Sequence, residues 1–411
     1  MEFLQKNIEI VENAHKKSLK LFSQIDKIAL INQKKVLDAF RKNAVQARHF
    51  YGTTGYGYDD IGRDTLCRVF ADVFGAEDAV VSPLIANGTH ALTLALFAVL
   101  RPGDTFISVS GKPYDTLDEV ISGENIGSLR DFKVNFSSIE LEKNGKIAAD
   151  KTVSAVKKLK PKLVFIQRSR GYSQRDALSV ADIARAADKI KSANPETIIM
   201  VDNCYGEFVE AHEPTEFGAD LIVGSLIKNA GGGFAPTGGY IAGKKDLISL
   251  VAGRLTAPSL GNEVGSCVSG YLPYYQGLFM APVTVANALK SSVLFGRIYG
   301  DLGYKTLPAA GKPCNDIIRS IVFNDKDKLI KFCQAIQQAS PIDSNVTPEP
   351  WDMPGYNDKV IMAAGAFVQG SSIELSADSP IRPPYIAYLQ GGLTYEHAKI
   401  AALYTLEKLN V

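Results

Sequence analysis

DLIVGSLIKNAGGGFAPTG (220–238) places an apolar, strand-like run directly before a lysine, Lys228, and a glycine tract. A lysine ordinarily sits on a solvated helix, so an ammonium at the end of a buried strand asks for a reason. Outward from this stretch the same kind of run recurs: AVVSPL (79–84), TFISVS (105–110), LVFIQ (163–167), TIIMVD (197–202) and GGYIAG (238–243). Helix-like segments fall between several of them, at 66–74, in ALTLALFAVL (91–100) and in DALSVADIARAADKIKSA (176–193). Short β-rich runs alternating with helices predict an α/β fold, a mostly parallel sheet covered by helices on both faces.

The flanks read differently. Ile8, Val11, Leu19, Phe22, Ile25 and Ile28 recur at helical spacing and predict an amphipathic N-terminal helix. HFYGTTGYGYDDIGRD (49–64) has no period and reads as an irregular functional loop. Beyond the sheet region, 281–304 predicts a long helix, followed by IIRSIVF, a helix near 325–339, a Pro-rich loop at 341–354 and a last helix at 394–409. The expected division is a helical arm (1–48), a large α/β domain (49–285) and a small α+β domain (286–411). Of the 411 residues, 46% are hydrophobic and 22% charged, and the formal net charge of +1 gives no whole-chain pull toward nucleic acid or anionic membrane. The segment 91–100 has about half of the roughly 20 residues a membrane span needs. The start lacks the basic-then-apolar order of a secretory signal. The cysteines, 67, 204, 267, 314 and 333, are odd in number and dispersed. A soluble, cytoplasmic protein with reduced thiols is expected. The histidines lack ligand spacing, so no metal site is expected.

In an open parallel sheet ligands bind at the carboxyl ends of the strands. Several polar residues fall there: Asn87, Gly88 and Thr89 after the first run, Gln167 and Arg168 after LVFI, Asp202 after TIIMV, and Ser225 and Lys228 after LIVG. Each has an ordinary reading as an N-cap, a paired carboxylate or a loop lysine. Together they match one ligand. A helix N-terminus suits a phosphate. An acid at a strand end suits a protonated ring nitrogen. A lysine in a desolvated pocket, its pKa lowered, is a usable amine nucleophile. Pyridoxal 5′-phosphate needs all three. The glycines 231–233 would give the backbone room beside it.

These residues resemble a family. GSLIKNAGGGFAPTGGYIAG (224–243) is similar to the cofactor-lysine segment of fold-type I pyridoxal phosphate enzymes. The resemblance extends to the cystathionine/methionine γ-lyase group, and within it to the methionine γ-lyase-like proteins linked by name to aluminium resistance. NGTHALTLALFAVL (87–100), GKPYDTLDEVISG (111–123), VFIQRSRGYSQR (164–175) and VDNCYGEFVE (201–210) carry it in the family's order. It implies a seven-stranded, mostly parallel sheet and a smaller C-terminal domain. It implies that Lys228 bonds covalently to the cofactor, that Asp202 pairs with its ring nitrogen, and that Gly88, Thr89 and Ser225, beside Asn87, hold its phosphate. Tyr114 would stack on the ring. Tyr56 or Tyr58 would reach the site of a neighbouring subunit in a homodimer or homotetramer. Relatives carry Tyr-x-Arg in that loop; here no arginine follows, and Arg63 is the nearest substitute. Relatives hold the substrate carboxylate with an arginine before Ser-x-Gly. In SIELSADSPIRPPY (372–385) Glu374 takes that place, and Arg382, Arg168 and Arg170 are the available guanidiniums.

The implied reaction is carbon–sulfur lysis of cystathionine, cysteine or methionine, by β- or γ-elimination. Lys228 would move the α-proton, and Tyr114 or Tyr58 would act as acid toward the departing sulfur. The alternative within the same cofactor class is an aminotransferase, racemase or synthase. A nucleotide-binding protein is disfavoured, because neither G-x-G-x-x-G nor G-x-x-x-x-G-K-[ST] spacing fits the glycines.

Overall fold

A computed structural model describes residues 3–353 and 358–411; residue 354, the end of the predicted Pro-rich loop, lies outside them. The chain opens with α1 (Gln5–Lys42) and α2 (Ile61–Val73). An alternating run follows: β1 (Asp78–Ser82), α3 (Gly88–Val99), β2 (Thr105–Ser108), α4 (Asp115–Ser122), β3 (Asn135–Ser138), α5 (Ala149–Leu159), β4 (Leu163–Gln167), α6 (Val180–Ala193), β5 (Ile198–Asp202), β6 (Leu221–Ser225), β7 (Gly239–Gly243) and α7 (Lys245–Leu255). Then come α8 (Leu272–Asp301), β8 (Lys305–Leu307), β9 (Arg319–Val322), α9 (Lys326–Ala339), β10 (Val360–Ala363), β11 (Ser376–Pro380), β12 (Ile386–Gln390) and α10 (Tyr395–Lys408).

The large sheet has seven strands in the order β1-β7-β6-β5-β4-β2-β3. All run parallel except β7, which pairs antiparallel with both of its neighbours. Its inner strands β4, β5 and β6 are largely apolar because both faces are covered, whereas the edge strand β3 is polar and exposed. On β4, Val164 and Ile166 face one core with Val36 of α1, Phe70 of α2, Ile183 of α6 and Leu278 of α8. Leu163 and Phe165 face the opposite core, with Leu96 of α3, Leu117 of α4 and Val251 of α7. The smaller sheet, β10-β11-β12-β9-β8, is antiparallel and packs on α9, α10 and the far end of α8.

Helix α8 joins the two halves. Tyr275, Leu278, Val285 and Leu289 belong to the core of the large sheet, whereas Leu294, Phe295 and Ile298 belong to that of the small one. The expected boundary at 285/286 therefore falls inside one continuous helix. That helix also begins earlier than the sequence suggested and carries Pro282 in its interior. By length and composition it could cross a membrane, a property the sequence reading assigned to no segment. Most of it is buried inside this fold, where an apolar core helix belongs. Helix α1 runs along it and bridges the same two cores, through Val36 and Ala39 at one end and Val11 and Ala14 at the other.

Candidate active site

The carboxyl ends of the parallel strands converge on a cleft of about 430 Å³. From the large sheet come Tyr114, Gln167, Arg170, Asp202, Cys204 and Lys228, and from the small one Ile318, Asp378, Arg382 and Gln390. Register places these groups. Gln167 pairs across the ladder with Asp202 at the ends of β4 and β5, and Ser225 ends β6 beside them. The chain then turns, with the Lys228 N–H donating to the Ser225 carbonyl at 3.3 Å, so that Lys228 follows the strand into the cleft.

Asp202 is buried, and its Oδ1 accepts from the Cys204 backbone N–H at 3.1 Å. Burial pushes its carboxyl above the usual range, opposed chiefly by the Lys228 charge. Lys228 Nζ lies 4.2 Å from the centroid of the Tyr205 ring, a cation–π contact. Tyr205 reaches it from a left-handed backbone conformation, φ 70°, that costs a non-glycine residue energy and aims the ring. The expected lowering of the Lys228 pKa is corrected. Burial does pull the ammonium down, but Cys204, Tyr205, Asp202 and Tyr114 outweigh it and hold Lys228 well above the lysine range.

Tyr114 donates its backbone N–H to Gln167 Oε1 at 2.9 Å, which fixes the start of α4 over the cleft. Its hydroxyl meets Thr89 Oγ1 at 2.8 Å, and Thr89 also contacts Thr116 at 3.1 Å. Burial pushes the Tyr114 phenol up to about 12, with Asp202 adding to the effect. Asn87 caps α3 by accepting the His90 N–H at 2.8 Å. Gly88 and Thr89 open the helix, so their N–H groups have no intrahelical acceptor. A Cβ on Gly88 would sit 3.4 Å from Ser225 Cβ and 3.6 Å from Cys204 Sγ. Ser225 Oγ is itself buried without a hydrogen-bond partner among the described residues. A backbone corner with free donors, no side chain and an unsatisfied hydroxyl is built for an anion.

Three further expectations change, and Glu374 takes a structural role. Arg168 does not reach the cleft: its guanidinium is fully buried and bonds Asn203 Oδ1 at 2.8 Å, the Gly206 carbonyl at 2.9 Å and Glu210 at 2.7 Å. Residues 231–233 do not clear space for a ligand; a Cβ on Gly231 would strike the Leu226 carbonyl at 1.7 Å, one on Gly232 the Gly277 carbonyl of α8, and one on Gly233 Leu393. The glycines press the lysine turn onto α8. Glu374 holds a loop by accepting from the Phe367 and Val368 N–H groups, each at 2.9 Å. Arg63 is spent on the Gly57 carbonyl and Asp64.

Of the other arginines, Arg170 borders the cleft but is buried against Asp316, at 3.2 Å. Arg382 borders it with an exposed side chain whose partner, Asp358, is partly buried, at 2.9 Å. Tyr56 and Tyr58 stack on each other on the outer surface, ring centroids 5.3 Å apart, and do not line the cleft of their own chain. Among the described residues no group of three potential metal ligands comes together.

The family model described as methionine gamma-lyase matches residues 7–410. The chain belongs to that family. A carbon-sulfur lyase involved in aluminum resistance from Clostridium novyi NT has a solved structure that superposes with TM-score 0.95 at 50% identity, covering 98% of this chain and 96% of that one. Protein YnbB of Bacillus subtilis (strain 168) is 50% identical over 392 residues, 95% of this chain and 93% of its own. At 16% identity and TM-score 0.64, the pyridoxal-5′-phosphate dependent protein YhfS from Escherichia coli shares the fold across 94% of this chain. The family's fold-type I architecture is thus the architecture found here. Sequence reading missed Cys204, Tyr205, Asp378 and Gln390 as cleft residues. The first two lie beside Asp202 in VDNCYGE and could have been found from it; the others arrive from a separate sheet.

Proposed function

We propose that the chain is a pyridoxal 5′-phosphate-dependent carbon–sulfur lyase acting on a sulfur amino acid such as cystathionine, cysteine or methionine. One observation carries this reading: the Lys228 amine and the Asp202 carboxyl share a cleft, and directly behind its Cys204 wall lies an anion corner where Ser225 Oγ is buried and unpartnered beside Gly88. The residues fit the cofactor. Gly88, Thr89 and Ser225 would hold its phosphate, with Asn87 fixing the helix end. Asp202 would pair with the ring nitrogen, Tyr114 would lie over the ring, and Lys228 would bind the aldehyde.

Bound there, the cofactor supplies an electron sink for negative charge left at the substrate Cα. The protein supplies the proton traffic and the aim. Lys228 Nζ moves the Cα proton, kept in place by the Tyr205 ring. The Tyr114 hydroxyl, held protonated by burial, donates toward the departing sulfur; Tyr58 of a neighbouring subunit is the other candidate. Arg382 is the best-placed guanidinium for the substrate carboxylate, because its exposed ion pair is weak and readily exchanged. Arg170 supports it from the cleft wall. We propose a homodimer or homotetramer in which Tyr56 and Tyr58 complete a neighbour's cleft. The five unpaired cysteines fit a reducing, cytoplasmic setting.

Purified protein supplied with the cofactor should turn yellow and release both thiol and keto acid from at least one of the three amino acids. Lys228→Ala should abolish the release. Keto acid without thiol would move the chain to the aminotransferase class, and undiminished thiol release by Lys228→Ala would reject the site.

A further inference from the structure

We propose that Asp378 determines substrate specificity by binding a second ammonium group, so that the preferred substrates are amino acids whose sulfur-linked portion carries its own amine. This inference rests on the lyase reading of the same cleft. Asp378 lies on β11 and projects into the cleft from the small sheet, across from Lys228. Within SIELSAD it is the carboxyl that faces the ligand, since Glu374 is occupied by two backbone N–H groups. Among the described residues it has no ion pair. Its support comes from neutral donors, the Gln390 amide at 3.4 Å and the Tyr172 hydroxyl.

Nearby cations are otherwise engaged. Arg170 pairs with Asp316 and the Leu307 carbonyl, and Arg382, which rests on Asp358, is assigned to the substrate carboxylate. Lys228 is close enough to favour the Asp378 charge, but its amine is committed to the cofactor in the reading above. Burial pushes the carboxyl up to about 7, as expected of an acid that has lost water and gained no cation. Even a partly buried carboxyl is costly to keep charged unless something compensates it. Its position in the cleft lets a ligand ammonium do so. Methionine has no such group; cystathionine and similar thioether or disulfide diamino acids have one beyond the sulfur.

The test compares two compounds of one length on the holoenzyme: cystathionine, and S-(3-carboxypropyl)cysteine, which lacks only the distal amine. The wild type should favour cystathionine in kcat/KM by at least tenfold, the scale of a hydrogen bond between charged groups. Asp378→Asn, which keeps the shape, should shrink that ratio toward one. The ratio is internal to each preparation, so a partly unfolded variant does not distort it. A wild-type ratio near one, or a ratio untouched by Asp378→Asn, overturns the proposal while leaving the lyase reading intact. If neither compound yields thiol, the lyase reading fails for this substrate class, and the ratio of their calorimetric Kd values on wild type and Asp378→Asn decides the proposal by the same criterion.

Discussion

Gly88→Ala separates an anion corner from an ordinary helix cap. Gly88 is the first residue of α3, and its backbone does not need a glycine. The new methyl group would meet Ser225 Cβ at 3.4 Å and Cys204 Sγ at 3.6 Å, both ordinary contact distances. The protein without ligand should therefore keep its fold and gain up to about 1 kcal/mol, the helix preference for alanine over glycine. The same methyl occupies the corner assigned to the phosphate. Losing one hydrogen bond to a charged group is worth about 1.5–3 kcal/mol, so cofactor affinity should fall roughly 10- to 100-fold. The assay is an absorbance titration of cofactor-free protein with pyridoxal 5′-phosphate and, in parallel, with pyridoxal. The loss should appear with the phosphate ester and largely vanish with pyridoxal. Unchanged affinity for the phosphate ester, or an equal loss for both compounds, would refute the corner's assignment.

Three other perturbations follow from the geometry. Tyr114→Phe keeps the ring but loses the hydroxyl that meets Thr89, so thiol release should slow by about 10²- to 10⁴-fold with cofactor binding retained; an unchanged rate would transfer the acid role to Tyr58. Arg168→Met should not alter substrate KM in the folded enzyme, but it strips the cation from buried Glu213 and should cost about 3–5 kcal/mol in urea unfolding. Full stability would show that the buried network is dispensable. Glu207 is fully buried, accepts the Tyr240 hydroxyl at 2.9 Å, and is pushed up to about 8 by burial, so the folded state holds its proton more tightly than the unfolded chain. That contribution is complete below about pH 4.5 and is lost as pH rises through about 8, by at most about 5 kcal/mol. Glu207→Gln should therefore melt above wild type at pH 9 and lose that advantage below pH 5; a lower melting temperature at pH 9 would contradict the burial argument.

Much of the large sheet was legible because parallel strands buried on both faces must be apolar along their whole length. LVFIQ matches β4 residue for residue, and the other runs differ from β1, β2, β5, β6 and β7 only at their ends. The edge strand β3, NFSS, was illegible because it is exposed and polar. Strand β11, SADSP, was hidden for a related reason: Asp378 faces the cleft, so its residues do not alternate as a half-buried strand does. At the site, strand-end position alone brought Asp202, Ser225 and Lys228 together. Position did not reveal charge state, since the groups that raise Lys228 include Tyr114 from another element. Nor did it reveal that Arg168, one residue past β4, turns away from the cleft into a buried network, or that the glycines answer to α8. Those depend on neighbours distant in sequence.

The central claim is that a single lysine binds the cofactor. Borohydride reduction of the holoenzyme followed by peptide mapping tests it most directly. The account predicts one modified peptide, the one containing Lys228, and no retained label in Lys228→Ala. A cofactor fixed to any other lysine, with the Lys228 peptide unmodified, would contradict it.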